Sequence, residues 1–169
     1  ECHRVAPMYL PCIVHLSMAY ANFKEFNKGL AILQYGHQRV DPNYVHVNYH
    51  LGVYYKDHFA DYDSARRHFT KVYELTSGRF FQATLKLGEM HMEEGQIQEG
   101  MKRASSVLQL DMTNGDAWDL YGKGYMLLGD FNSAAQIFDK LATSAPDSFR
   151  YLLNVANWAE RRQDFRIAR

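Results

Sequence analysis

Two histidines, His46 and His50, stand one helical turn apart, and His15 precedes His50 by 35 residues. Three imidazole nitrogens gathered on one surface would match the donor set that a zinc ion accepts. The competing reading is a polar, aromatic-rich groove that holds a ligand. No carboxylate stands nearby in the sequence to orient the rings, so no metal is expected. Gly122-Lys123-Gly124 followed by Gly129 imitates a phosphate loop, yet the Gly-x-x-x-x-Gly-Lys-Ser/Thr spacing is missing. Gly124 reads instead as a mid-helix glycine, costing about 1 kcal/mol relative to alanine. No Ser-His-Asp or Cys-His arrangement can be proposed from spacing, and Cys12 reads as a small buried hydrophobe rather than a nucleophile. The expectation is a protein that is not an enzyme and carries no cofactor.

Charged runs have equally plain readings. Glu89, Glu93, Glu94 and Glu99 could attract a basic peptide, but a solvated helix face explains them as well. Arg161, Arg162, Arg166 and Arg169 are interleaved with Glu160 and Asp164, which suggests a salt-bridged surface more than a nucleic-acid footprint. The 169 residues balance 19 Lys and Arg against 19 Asp and Glu, leaving no field of one sign to hold phosphates or an anionic membrane. At 47% hydrophobic the chain can bury a core. The apolar stretch from Met8 to Phe23 is interrupted by Pro11, His15 and Asn22, so no membrane span is expected. Two cysteines and no Asn-x-Ser/Thr site favour an intracellular, reducing compartment.

The elements that must position these residues repeat. A small residue after Leu, Tyr or Val recurs as Leu16-Ser17, Leu51-Gly52, Leu87-Gly88, Tyr121-Gly122 and Val155-Ala156, at spacings of 35, 36, 34 and 34. Three residues after each small residue come Tyr20, Tyr55, His91, Tyr125 or Ala159. A second small residue follows at Gly29, Ala65, Gly100, Ala134 and Ala168, and four further on stand Leu33, Phe69, Ala104 and Phe138. RVAPMY at 4–9 returns as RVDPNY at 39–44, and Pro146 takes the same place later. Steps of three and four predict two helices per copy. Gly95 and Gly129 mark the turn between them, and one extra residue near Phe59-Ala60 lengthens that turn in the second copy.

This pattern resembles the tetratricopeptide repeat (TPR) family, most closely in the copy with Trp118, Tyr121-Gly122, Tyr125, Ala134, Phe138 and Pro146. Ser17 and Ala156 for the first Gly, His91 for Tyr, Ala104 for Phe and Met112 for Pro depart from it. The resemblance implies an all-α, right-handed superhelical solenoid of antiparallel helix pairs. The expected segments are the end of a preceding repeat at 1–9, repeats at 10–44, 45–80, 81–114 and 115–148, and an incomplete repeat at 149–169. The chain is expected to be an excerpt of a longer array, with apolar surface around Trp158 and Phe165 exposed at its C-terminal end.

The resemblance also implies that first helices line a concave groove. Its N-terminal part would hold Val14, His15, Met18, His46, Tyr49, His50 and Val53. Leu85, Lys86, Glu89, Asp119 and Lys123 would follow. The apolar and aromatic start of that groove suits a protein segment with hydrophobic anchors. The Lys and Asn pattern by which some TPR domains clamp the acidic C-terminus of Hsp70 and Hsp90 is absent: Val14, Met18, His50, Gln82 and Lys86 occupy those places. The functional expectation is a non-catalytic scaffold within a multi-subunit assembly. The alternatives are an RNA-binding helical-repeat protein, which zero net charge disfavours, and an interaction module attached to an enzyme elsewhere in the parent chain.

Overall fold

Pro11 opens the first helix, where its missing N–H would have no intrahelical partner in any case. In the computed structural model, which describes residues 9–144, α1 runs Leu10–Asn22, α2 Phe26–Tyr35, α3 Val45–Phe59, α4 Tyr62–Thr76, α5 Phe81–Glu93, α6 Ile97–Leu110, α7 Gly115–Leu127 and α8 Phe131–Ser144. A short π-helical turn, Gly36–Val40, extends α2. Every one of these elements is helical, and none of the described residues forms a strand. Segment 149–169, including Trp158 and Phe165, and nearly all of 1–9 lie outside the described residues. So does Pro146.

Each hairpin turn is built to one plan. The backbone N–H of Glu25, Gln96 and Asp130 donates to the carbonyl of Tyr20, His91 and Tyr125, five residues back, at 2.8, 2.8 and 3.0 Å. In the second hairpin Asp61 reaches Tyr55, six residues back, at 2.9 Å. The added residue is absorbed there without loss of the bond. A left-handed residue sits in each turn: Gly95 (φ 80°) and Gly129 (φ 79°), but Lys24 (φ 58°) and Ala60 (φ 52°) in the others. Two of the second helices, α4 and α8, are capped from the turn, by Asp61 Oδ1, which accepts from Ser64 N at 3.0 Å, and by Asp130 Oδ1, which accepts from Ser133 N at 3.1 Å.

The chain forms two compact units, residues 1–83 and 84–169. In the first, Ile13, Val14, Leu33, Val47, Leu51 and Tyr54 form the buried core between α1, α2 and α3. Gly29 lies under the Tyr54 ring, whose hydroxyl donates to the Ser17 carbonyl, and Gly52 lies against Phe69. In the second unit, Ala134, Phe138 and Leu141 pack with Trp118, Tyr125 and Ile137. Gly88 and Gly100 face each other across α5 and α6, so closely that a Cβ on Gly100 would stand 2.7 Å from the Gly88 carbonyl oxygen. Close helix approach at Gly52, Gly88 and Gly122 is therefore the reason these positions are small.

Candidate interaction surface

In the first unit His15 and His46 both act electrostatically on His50. His15 and His46 are exposed, while His50 is half-buried. Burial, then the neighbouring charges of His46 and of His15, pushes His50 down to about 4. It stays neutral at physiological pH, which makes it part of an apolar surface rather than a charged one. The Tyr49 ring lies 5.4 Å from His50 and 5.1 Å from Phe80, and His46 meets Phe80 edge-on at 5.5 Å. Met18 is 47% exposed, whereas Val53 is half-buried. Tyr49 also packs on core Phe69 at 5.9 Å, so it is half-buried and carries part of the fold. Among the described residues no three His, Cys, Asp or Glu side chains are grouped so as to hold a metal ion.

Three residues expected to be exposed on the groove are buried instead. Val14 is 7% exposed and belongs to the core with Ile13. Leu85 is 8% exposed and Asp119 5%. The physical reason is clearest for Val14: α1 packs against both α2 and α3, so its buried stripe is wider than one helix face and takes in positions next to it. The charged positions of the second unit are engaged with each other. Lys86 Nζ meets Glu89 Oε2 at 2.8 Å, and Lys123 Nζ meets Asp119 Oδ2 at 2.8 Å. Lys123 therefore neutralises a buried carboxylate. The glycines beside it lie inside α7, Gly122 against Phe138 and Gly124 against Met101, which gives the apparent phosphate loop a packing role.

A second polar cluster carried no sequence signal beyond a lone Asn in an apolar stripe. Asn48 is fully buried; its Nδ2 donates to the Pro42 and Tyr44 carbonyls at 2.9 and 3.0 Å. Its Oδ1 is thereby turned to accept from His68 Nδ1 at 3.0 Å. His68 stacks on Tyr55 at 5.6 Å and meets His37 edge-on at 5.3 Å. Burial, then His37, Arg67 and Lys71, brings His68 down to about 4. His37, carried on the π-helical turn, is lowered by burial and then by Lys71, against Asp41, and its buried Nδ1 has no hydrogen-bond partner.

Cys12 is buried and disulfide-bonded rather than a free thiol; Cys2, the other cysteine, lies outside the described residues. A bonded cysteine removes the compositional argument for a reducing compartment. No helix among the described residues is long and apolar enough to cross a membrane.

Residues 116–148 match the family model described as tetratricopeptide repeat. Among solved structures, the chain is similar to MamA 41-end from Desulfovibrio magneticus RS-1, at 18% identity over 94% of this chain and 88% of that one, with a TM-score of 0.71. It is also similar to PilF of Pseudomonas aeruginosa, at 15% identity over 92% and 69%, with a TM-score of 0.76. A tetratricopeptide repeat protein from Parabacteroides merdae ATCC 43184 matches at 10% identity over 90% and 58%, with a TM-score of 0.78. No curated protein matches the sequence. At these identities the structural likeness speaks for the fold, which is that of all-helical TPR solenoids. Residues 116–148 thus resemble one tetratricopeptide repeat within a chain that has this fold.

Proposed function

We propose that the chain is a non-catalytic scaffold that takes a partner's protein segment on the first-helix face of its N-terminal unit, as one subunit of a larger assembly. The observation that carries this reading is the exposure of Met18 on α1, together with half-buried Tyr49, His50 and Val53 and exposed His46 on α3 and exposed His15 on α1. These residues offer apolar and aromatic area with a neutral imidazole among them. Such a surface suits hydrophobic anchors, because buried aromatic and Met contacts supply most of the energy of an interface. The paired charges Lys86–Glu89 and Lys123–Asp119 are less available to a ligand, since each already has its counter-ion. In this reading the repeats take the boundaries 10–44, 45–80, 81–114 and 115–148.

The test is Met18→Glu. Met18 is exposed, so the substitution leaves helix content by circular dichroism unchanged, while it places a charge where an anchor would be desolvated. Partner binding should fall at least tenfold. Undiminished binding would exclude this face as the contact.

A further inference from the structure

A different surface, on the second helix of the second hairpin, has its own chemistry. Arg67, Lys71 and Leu75 follow one another at i, i+4 and i+8 on α4 and so share one face. With Arg66, Thr70 and Glu74 they line a surface groove of about 590 Å³. Leu75 is 44% exposed. Arg67 uses Nη2 to donate to the Ser64 hydroxyl at 2.8 Å, and among the described residues neither it nor Lys71 forms an ion pair with a carboxylate. Their charge is felt by the neighbouring groups: both act on His68 after burial, Lys71 also acts on His37, and Arg67 also acts on the Asp61 carboxylate.

We propose that this stripe docks an acidic helical segment of a partner protein, with carboxylates one turn apart meeting Arg67 and Lys71 and an apolar side chain one turn beyond meeting Leu75. Charge complementarity selects the occupant. A guanidinium and an ammonium at one-turn spacing match two carboxylates at the same spacing, and the guanidinium fork can donate two parallel hydrogen bonds to one carboxylate. Glu74, three residues from Lys71, gives the groove a negative border. The two cations stand one helical turn apart, a spacing that suits two discrete carboxylates on a helix. Leu75 adds the apolar contact that a purely ionic site lacks. This surface goes beyond the first-helix reading and does not depend on it.

The test uses the full chain and a synthetic alanine-based helical peptide bearing Glu, Glu and Leu at successive turns, with its Gln counterpart and a short oligouridylate as comparators. Nuclear magnetic resonance follows the Arg67 and Lys71 side chains and the titration of His68, which faces His37, Arg67, Lys71, Tyr55 and Asn48. The acidic peptide should shift the Arg67 and Lys71 resonances saturably and raise the titration midpoint of His68, because carboxylates offset the two cations. Replacing both Glu by Gln, or making Arg67→Gln with Lys71→Gln, should weaken binding at least tenfold with the fold intact, since neither cation is part of the core. Unshifted resonances, equal or stronger response to oligouridylate, or undiminished binding by the double variant would overturn the proposal.

Discussion

His50 and His68 are neutral rings held in partly dehydrated places, and that fixes how stability responds to acid. Each is brought down to about 4 from 6.5. Below 6.5 the unfolded chain takes up protons that the folded chain refuses, so stability is full above that value and is lost as the pH falls toward 4. Both rings keep some solvent contact, so the loss at pH 5 is on the order of 1 kcal/mol per histidine after discounting for screening. Asp61, Asp111 and Asp130 are held low by hydrogen bonds from Ser64, Thr113 and Ser133, so what they contribute disappears only in a lower window, below 3.8. The urea midpoint should therefore drop between pH 7 and pH 5, and drop less in His50→Gln; equal midpoints at the two pH values would contradict this. That His15 and His50 hold equivalent places was legible because a 35-residue period superimposes one on the other. The His37–His68–Asn48 cluster was not, because the π-helical turn that carries His37 leaves no pattern of apolar spacing. Val14 and Asp119 were misplaced for a related reason: periodicity locates the centre of a buried stripe better than its edges.

Among the helices, the small residues divide by cause, and substitutions can separate the causes. Alanine at Gly100 would gain about 1 kcal/mol of helix propensity, but its Cβ meets the Gly88 carbonyl oxygen, a backbone atom that can yield only if α5 and α6 separate. Overpacking of this kind costs about 1–3 kcal/mol, so Gly100→Ala should be net destabilising in urea unfolding. Gly95 has open space around it and a φ of 80°. Gly95→Ala should cost about 1–2 kcal/mol through backbone strain alone, and Gly95→Asn less, because asparagine tolerates the left-handed region. A Gly100→Ala protein as stable as the parent would contradict the close approach. The period itself was readable, and so was the insertion near Ala60, since one added residue moves a turn without changing which faces are apolar. Lys24 and Ala60 in left-handed turns were not readable: neither residue announces that conformation as glycine does.

At the scale of the whole molecule, 19 positive and 19 negative side chains leave no net charge to steer a nucleic acid, and the local charges of the second unit's first helices are paired within the chain. At the proposed first-helix surface of the N-terminal unit, where apolar and aromatic area is the attraction, binding should change little as salt rises, unlike phosphate recognition, whose affinity falls steeply. Among the described residues the helical hairpins were legible in the sequence because helix pairs that pack closely must repeat their small and large residues. Partner identity was not, since the side chains that meet a ligand are those the packing leaves unconstrained. The most direct measurement replaces Met18, in the assembled protein, with a photo-crosslinking amino acid, and in parallel replaces Lys102, an exposed residue of α6. The account predicts a crosslink to one defined partner segment from position 18 and none to it from position 102. A partner that crosslinks from position 102 and not from position 18 would contradict it.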